Sequence, residues 1–378
     1  MTPLNILHVF RAPVGGLFRH VSDLARAQAE RGHRVGLIAD STTGGERADV
    51  ALKALEPVLA HGILRIPMSR QIGPGDSIAT LRVMRRSAEV EADVLHGHGA
   101  KGGAYSRMAF NNARALRVYT PHGGSLLFNN DNLAGKFYLG SEKLLMLRGD
   151  LFLFESAFSA DMFRRKIGIP KGLLRVAHNG VSRQEFELVS PAQNATDLLF
   201  LGELRQLKGV DVLLDAIARL HRDGRNVTAT LVGAGPDRDQ FVAQAEQLGL
   251  SGTVTFPGAM PAPRALPLGR IMIVPSRAES LPYVVLEAAA AGMPLITTMV
   301  GGIGEIFGPQ ADALIPADDA GALATAIADK LDNPAAAAEF ARTLRERVAT
   351  HFSIDAMVDG ILKSYGDGLD SLRQKGRR

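Results

Sequence analysis

The 378-residue chain is 46% hydrophobic and 22% charged, carries a formal net charge of +4 and contains no cysteine. Its length suits two domains of about 180 residues better than one, and the missing cysteines exclude disulfides, thiolate metal sites and a cysteine nucleophile. The charge is uneven: residues 1–180 hold 24 Lys/Arg against 15 Asp/Glu (+9) and residues 181–378 hold 19 against 24 (−5).

Along the chain, short apolar runs alternate with amphipathic stretches, as βαβ units require. In the first half the predicted strands are Asn5–Phe10, Arg34–Ala39, Ile63–Pro67, Asp93–His96, Arg117–Thr120 and Leu151–Glu155. LNILHVF at the start is short and lacks a basic leader, so it reads as a strand and not a signal peptide. Gly15-Gly16 follows that strand and precedes a helix carrying Arg19 and His20. Backbone N–H groups there can approach a ligand with no Cβ in the way, although plain turn chemistry also places two glycines after a strand. The spacing departs from GxGxxG, which argues against a nicotinamide or flavin site. His96 and His98, in LHGHG with Lys101 and Gly102-Gly103 following, fall at a strand end and are candidates for lining an acceptor pocket. They are spaced like a pair of metal ligands, but no third ligand stands out and no metal is expected. TPHGG, Thr120 to Gly124, ends a further strand with His122.

The polar stretch Gly180 to Thr196, containing SPAQNAT, has linker composition. It implies a division into residues 1–180, a linker 181–196, a second domain 197–352, and closing helices with a basic tail, 353–378. In the second half the predicted strands are Asp197–Gly202, Thr228–Gly233, Thr253–Pro257, Arg270–Val274, Pro294–Thr297 and Ala313–Ile315. Two Rossmann-like domains in tandem would put a cleft between the carboxyl ends of both sheets, where open α/β sheets bind ligands. LGELRQLKG, Leu201 to Gly209, reads as strand, loop and helix start with Arg205 and Lys208, cations able to neutralise a diphosphate. Asp237-Arg238-Asp239 has the form of a carboxylate metal motif. It follows Gly233 and Gly235-Pro236 at a helix start, where acidic residues complement the helix dipole, and this second reading is adopted.

The segment Pro275 to Ile306, PSRAESLPYVVLEAAAAGMPLITTMVGGIGEI, is the most informative. Ser280 as N-cap and Pro282 in the first turn predict a helix Tyr283 to Ala291 that stops at Gly292 and Pro294. The N–H groups of Leu281, Tyr283 and Val284 then point ahead of the helix, where its dipole favours an anion by ~0.3–1 kcal/mol, and a diphosphate fits. Glu287, a turn inside the helix, can accept two hydrogen bonds from a vicinal diol, while Glu279 on the loop can face a second polar group. That describes a nucleotide carrying a sugar. Taken alone, two glutamates eight apart are also what a capping residue and a solvated helix position give.

In order, Pro275-Ser276, Glu279, the step to Glu287, the Ala-rich turn, Gly292-Met293-Pro294 and Gly301-Gly302-Ile303-Gly304-Glu305 resemble the signature of the retaining nucleotide-sugar glycosyltransferases of family 4, also termed glycosyl transferases group 1. The resemblance runs from Gly15-Gly16 to Phe352-Ser353. It implies an α/β GT-B fold, two Rossmann-like domains with parallel sheets facing across a cleft. The first would be the acceptor side, the second (197–352) would hold the nucleotide sugar, and residues 353–378 would cross back to the first. By the same resemblance Gly15 and Gly16 form a glycine loop that contacts the donor, His122 contacts the transferred sugar, and Glu279, Lys208 and Arg205 complete the catalytic set. Glu287, Leu281, Tyr283, Val284 and Gly233 would bind the nucleotide sugar. The family usually has Arg directly after the glycine where this chain has Glu203. Lys208 matches its family position, and Arg205 is a candidate replacement for the missing Arg.

The implied reaction is transfer of a sugar with retention from a nucleotide-diphosphate sugar, a UDP-sugar before GDP-mannose, to a saccharide or lipid-linked acceptor, as in bacterial surface polysaccharide or glycolipid synthesis. No residue offers itself as the carboxylate nucleophile of a covalent route. Family members are instead discussed in terms of same-face attack, with the departing phosphate taking the acceptor proton, Glu279 orienting the sugar and Glu287 the ribose. Charge on the leaving group would be balanced by Lys208, Arg205 and the helix N-terminus, without a metal or other cofactor. The base slot is expected near Phe256 to Pro261. A non-catalytic nucleotide-binding protein or a sugar-nucleotide epimerase on the same fold is the alternative. A two-Rossmann oxidoreductase is weakened by the absent GxGxxG, and a phosphorylase by the chain length and the missing pyridoxal-phosphate lysine motif. The basic first half and the tail RQKGRR suit an anionic partner, a phosphate-bearing acceptor or an acidic membrane surface, although a solvated basic surface has the same composition. Scattered basic residues without aromatic interleaving do not suggest nucleic acid. No stretch approaches the ~20 apolar residues that span a bilayer, so a cytoplasmic protein is expected, with the inner face of the cell membrane as its possible station.

Overall fold

In the computed structural model, which describes residues 2–109, 114–123 and 133–376, the strands of the described residues pair in parallel throughout. They form two sheets in two compact units, Met1–Asn179 with Ile354–Arg378, and Gly180–Ser353. The strands are near-continuous apolar runs because parallel sheets carry helices on both faces and leave neither face to water.

The first unit contains β1 (Asn5–Phe10), α1 (Gly15–Glu30), β2 (Arg34–Asp40), α2 (Gly45–Lys53), β3 (Ile63–Ile66), α3 (Gly75–Glu89), β4 (Val94–His98), α4 (Gly99–Met108), β5 (Leu116–Thr120), α5 (Leu133–Met146), β6 (Leu151–Phe154), α6 (Ala157–Lys166) and β7 (Leu173–Val176). The sheet order is β3-β2-β1-β4-β5-β6-β7. Alternate residues divide its core. Ile6, Phe10, Leu37, Val94 and Val118 belong to one cluster with Leu24 of α1. Leu7, Val9, Ile38 and Leu95 belong to another with Val83 of α3 and Tyr105 of α4. Arg107 and Glu142 form a fully internal ion pair between α4 and α5 at 2.9 Å, with the Tyr119 hydroxyl donating to the same carboxylate at 2.9 Å.

The second unit contains β8 (Thr196–Leu201), α7 (Val210–Arg222), β9 (Ala229–Val232), α8 (Arg238–Gln247), β10 (Val254–Gly258), α9 (Ala262–Ala265), β11 (Gly269–Val274), α10 (Tyr283–Ala290), β12 (Leu295–Thr297), α11 (Ile303–Phe307), α12 (Ala320–Asp332) and α13 (Pro334–His351). Its sheet order is β10-β9-β8-β11-β12. The last helix, α14 (Ile354–Gln374), belongs to the first unit. It buries Met357, Val358, Ile361, Leu362, Tyr365, Leu369 and Leu372, a helical stripe that joins the α1 face of that core. Arg31 ties the same helix to α1 through Asp355 at 2.8 Å and Asp359 at 3.1 Å.

Three local expectations are corrected. Ala313–Ile315 is not a strand: a 3-10 turn over Gly308–Ala313 carries the chain to the sheet edge only at Ile315, which makes a single bridge to Thr298. β7 was absent from the sequence reading because LLRV is half-exposed at the sheet edge and lacks the buried strand pattern. β4 runs on to His98, two residues beyond its expected end, which pairs His98 with Phe10 on one side and Thr120 on the other.

Candidate functional site

In each sheet the strand order reverses once, between β1 and β4 and between β8 and β11. Connections leave in opposite directions there, which opens a crevice at the carboxyl ends of those two strands. Both groups of candidate residues lie at these points.

In the first unit the crevice strands carry imidazoles in place of aliphatic side chains: His8 within β1, His96 within β4 and His98 at the carboxyl end of β4, all buried. His8 Nε2 lies 2.8 Å from Gln28 Oε1 of α1, and His8 Nδ1 lies 2.9 Å from His98 Nε2. His98 Nδ1 in turn lies 3.0 Å from His122 Nε2. His96 is held by the Tyr365 hydroxyl of α14 at 2.7 Å and by Thr120 at 2.8 Å, and His20 of α1 meets Asn179 at 3.0 Å. Burial removes the hydration that a charged ring needs. It lowers His8 to about 4 and His20 and His122 to about 3, and holds His96 and His98 well below the usual imidazole value, with the neighbouring imidazoles adding to the effect for all but His122. The cluster is therefore neutral at pH 7.

His122 follows β5 and Pro121 with a left-handed backbone, φ 51°, a conformation that costs a side chain of this kind of order 1–3 kcal/mol and marks functional positions. Gly124 of the same TPHGG run lies outside the described residues. Gly15 and Gly16 are exposed at the start of α1, and a Cβ on Gly15 would meet nothing within 4 Å, so the backbone there is open to a ligand. The expectation that His96 and His98 line an acceptor pocket is not met. Both histidines are internal, Lys101 pairs with Asp76 at 2.6 Å, and Gly102 and Gly103 press against the Val9 carbonyl and the Tyr119 ring. The view that no third partner for His96 and His98 exists is also corrected: ring nitrogens of His8, His96 and His98, and of His20, His98 and His122, gather within 4.8 Å. His8 and His20 come from another strand and a helix, so spacing around LHGHG could not reveal them.

In the second unit the loops after β8 and β11 meet. Lys208 Nζ lies 2.7 Å from Glu279 Oε1, and the Ser276 hydroxyl donates to the same oxygen at 2.7 Å. Glu279 Oε2 has no partner among the described residues. The two loops are clamped by Arg277, whose guanidinium spans Asp211 at 2.6 and 2.8 Å, Asp318 at 2.6 Å and the Gln206 carbonyl. Gly301 closes over the same loop: its φ is 60° and a Cβ would collide with the Glu279 carbonyl, while the Gly302 N–H donates to the Ser280 carbonyl at 2.7 Å. Gly209, φ 69°, likewise has the Pro275 carbonyl where a Cβ would stand. Gly233, after β9, sits against the Gly202 carbonyl beside this loop pair.

The helix after Glu279 begins at Tyr283 with Pro282 as its N-cap, so Ser280 is not the cap: it lies three residues before the helix, and Pro282 takes the extended backbone of that position. Tyr283 and Val284 open the helix, Leu281 is buried just ahead of it, and Glu287 is half-buried in its second turn. Arg205 is half-exposed and, among the described residues, pairs with Glu203 alone, at 3.8 Å, so the loop leaves its guanidinium at the surface. Asp237 occupies the N-cap position of α8 without a side-chain capping bond and accepts the Gln206 N–H at 2.7 Å, which makes it a brace for the Lys208 loop. Arg277, Asp211, His8, Gln28 and Tyr365 were not picked out from the sequence, and their partners lie tens of residues away.

Residues 14–185 match the family model described as Glycosyltransferase Family 4, and residues 182–347 that described as Glycosyl transferases group 1. The chain is similar to the glycogen synthase of Mycobacterium tuberculosis, 27% identical with 93% of this chain and 91% of the relative covered. In fold it is similar to the sucrose-phosphate synthase of Thermosynechococcus elongatus, with a TM-score of 0.81, 21% identity, and 97% and 100% of the two chains covered. The HepE protein of Anabaena in complex with UDP and glucose gives a TM-score of 0.81 at 19% identity, covering 96% and 100%. The shared architecture is the GT-B fold.

Proposed function

The chain belongs to the glycosyltransferases of family 4, and from that premise we propose that it transfers a sugar, with retention of anomeric configuration and without a metal, from a UDP-sugar to a lipid-linked saccharide. GDP-mannose is the second choice of donor. The observation that carries this reading is the Lys208–Glu279–Ser276 constellation at the strand-order reversal of the second sheet, closed by Gly301-Gly302. An ammonium has three donors, so Lys208 can keep Glu279 in place while turning another N–H to a phosphate oxygen. Glu279 Oε2 is then the acceptor for a sugar hydroxyl, and Glu287 for the ribose diol. In the reaction the bond from the anomeric carbon to the phosphate oxygen breaks, the acceptor oxygen bonds to the same face, and its proton passes to the departing phosphate. Lys208, Arg205 and the amides at the start of α10 balance the charge that develops there. Gly15-Gly16 and His122 are the proposed contacts of the first unit with the diphosphate and the sugar. UDP is favoured because it is the nucleotide bound in the Anabaena structure of the same fold.

A lipid-borne acceptor is supported by α5. Leu133, Phe137 and Leu144 are 85%, 56% and 69% exposed, and Leu147 just past the helix is 61% exposed. Their spacing puts them on one face, flanked by exposed Lys136, Lys143 and Arg148, while Gly135, Leu139 and Glu142 turn inward. This is the pattern of a helix lying in an anionic interface, and no described helix is long and apolar enough to cross a membrane. A place in the cytoplasm, at the inner face of the cell membrane, follows from this reading.

The test is a thermal-shift panel of UDP, GDP, ADP, NAD and their sugar forms on the wild type and on Glu287→Ala. A ligand at ~100 times its dissociation constant adds ~2.7 kcal/mol of stability. A shift with UDP and UDP-sugars that Glu287→Ala abolishes is expected; a shift with NAD alone, or none, overturns the proposal.

A further inference from the structure

A neutral imidazole has one donor and one acceptor nitrogen, so histidines in contact dictate one another's tautomers. The chain of contacts in the first unit starts at the Gln28 side-chain amide, which presents its oxygen and not its nitrogen to His8. Gln28 Oε1 can only accept, and it faces His8 Nε2 at 2.8 Å, so His8 carries its proton on Nε2 and its Nδ1 accepts. His98 Nε2, 2.9 Å from that Nδ1, must then donate, which leaves His98 Nδ1 to accept. His122 Nε2, 3.0 Å further on, donates in turn. His122 is left with the lone pair of Nδ1, for which the described residues offer no partner.

We infer that Gln28, His8 and His98 are positioning residues that fix His122 as its Nε2–H tautomer, so that His122 meets the donor as a neutral hydrogen-bond acceptor for a sugar hydroxyl and not as a proton donor. The inference rests on the proposed contact of His122 with the sugar. The His98 and His122 rings stack at 5.3 Å and the His20 ring meets the edge of His122 at 4.8 Å, so the acceptor ring is held on two sides. The titratable groups around the relay are His20 of α1, His96 of β4 and Tyr365 of α14. The two imidazoles are themselves kept neutral by burial, and the tyrosine is pushed up by it. No member of the relay changes charge near pH 7.

The experiment is long-range 1H–15N correlation spectroscopy of the full chain labelled at histidine nitrogens, from pH 5.5 to 8, with signals assigned by single substitution. Neutral Nε2–H patterns for His8, His98 and His122 across that range are expected. An Nδ1–H pattern or a titration at any of the three, or a transition metal retained on their nitrogens, overturns the relay. Gln28→Glu keeps an acceptor-only oxygen and should keep the pattern at His122, whereas Gln28→Leu should let it mix; identical spectra for both variants overturn the ordering role of Gln28. Addition of UDP-glucose should shift His122 Nδ1 alone among the three. Binding of UDP-glucose without that shift removes the acceptor role. The tautomer result stands or falls whether or not the nucleotide panel supports a glycosyltransferase.

Discussion

The two units place their candidate residues at the same point of the same topology, yet fill it with opposite chemistry. At the β1/β4 reversal the imidazoles of His8, His20, His96 and His98 are buried and neutral with half-buried His122 beside them, and the proton positions of His8, His98 and His122 follow from one another. At the β8/β11 reversal they are charged and partly open to water, with Lys208 against Glu279 and Arg277 against Asp211. A dry network of neutral rings suits recognition of hydroxyls by hydrogen bonds whose direction is fixed. A cation on a loop, held by a carboxylate it can share, suits a diphosphate whose charge grows as it leaves. The difference teaches that a common scaffold dictates where a site forms, and the side chains at the strand ends decide what it can hold.

The contrast should be most visible in acid. His8, His20 and His122 are lowered to about 4, 3 and 3 in the folded chain against 6.5 for the free group, so below pH 6.5 the unfolded chain binds protons that the folded one refuses. Stability is present in full above pH 6.5 and falls as pH drops from 6.5 towards 4, each imidazole contributing a slope that approaches ~1.4 kcal/mol per pH unit. Urea unfolding at pH 8, 6.5 and 5 should therefore show little change over the first interval and a loss of several kcal/mol over the second. Equal midpoints at pH 6.5 and 5 would show that the cluster is not buried neutral.

The charged constellation should fail in turnover while leaving stability nearly intact, the reverse of the histidine cluster. Lys208→Ala removes one charge-stabilising donor and is expected to lower turnover by ~10²–10³, with a melting temperature within a few degrees of wild type because the lysine is partly exposed. Near-normal turnover would remove Lys208 from the catalytic set and turn attention to Arg205, whose half-exposed guanidinium lies 3.8 Å from Glu203.

What could be read in the sequence follows the same division. Strand–helix alternation, the polar break near Gly180 and the step from Glu279 to Glu287 are local, and each is written in consecutive residues. Edge elements were harder: LLRV of β7 is too exposed to show a buried pattern, and Ala313–Ile315 looked like a strand although a 3-10 turn uses its first residue. Ser280 looked like a cap because Ser before a Pro is common at helix starts, but Pro282 holds the extended backbone itself. Partnerships were beyond reach. Lys208 and Glu279 are 71 residues apart, His8 and His98 are 90 apart, and Arg277 reaches Asp211 across 66. Only the fold brings such pairs together, so a histidine in the apolar run ILHVF could be noticed but not assigned a partner.

The smallest effect lies on the outside of the first unit and sharpens the comparison from a third side. Glu142 and Leu139 hold the inner face of α5, and Arg107 pairs with Glu142 beneath it, so the helix is anchored independently of its outer stripe. Lys136→Gln and Lys143→Gln should leave the fold and the nucleotide-dependent thermal shift unchanged, while each weakens binding to vesicles containing phosphatidylserine by ~1 kcal/mol, about fivefold. Co-sedimentation at low and high salt measures this. The loss should shrink as salt screens the charges, while Phe137→Ser and Leu144→Ser should weaken binding at both salt levels because they remove apolar area. If neutral and anionic vesicles bind the wild type equally, the lysines are solubilising charges, and the acceptor must reach the protein from water.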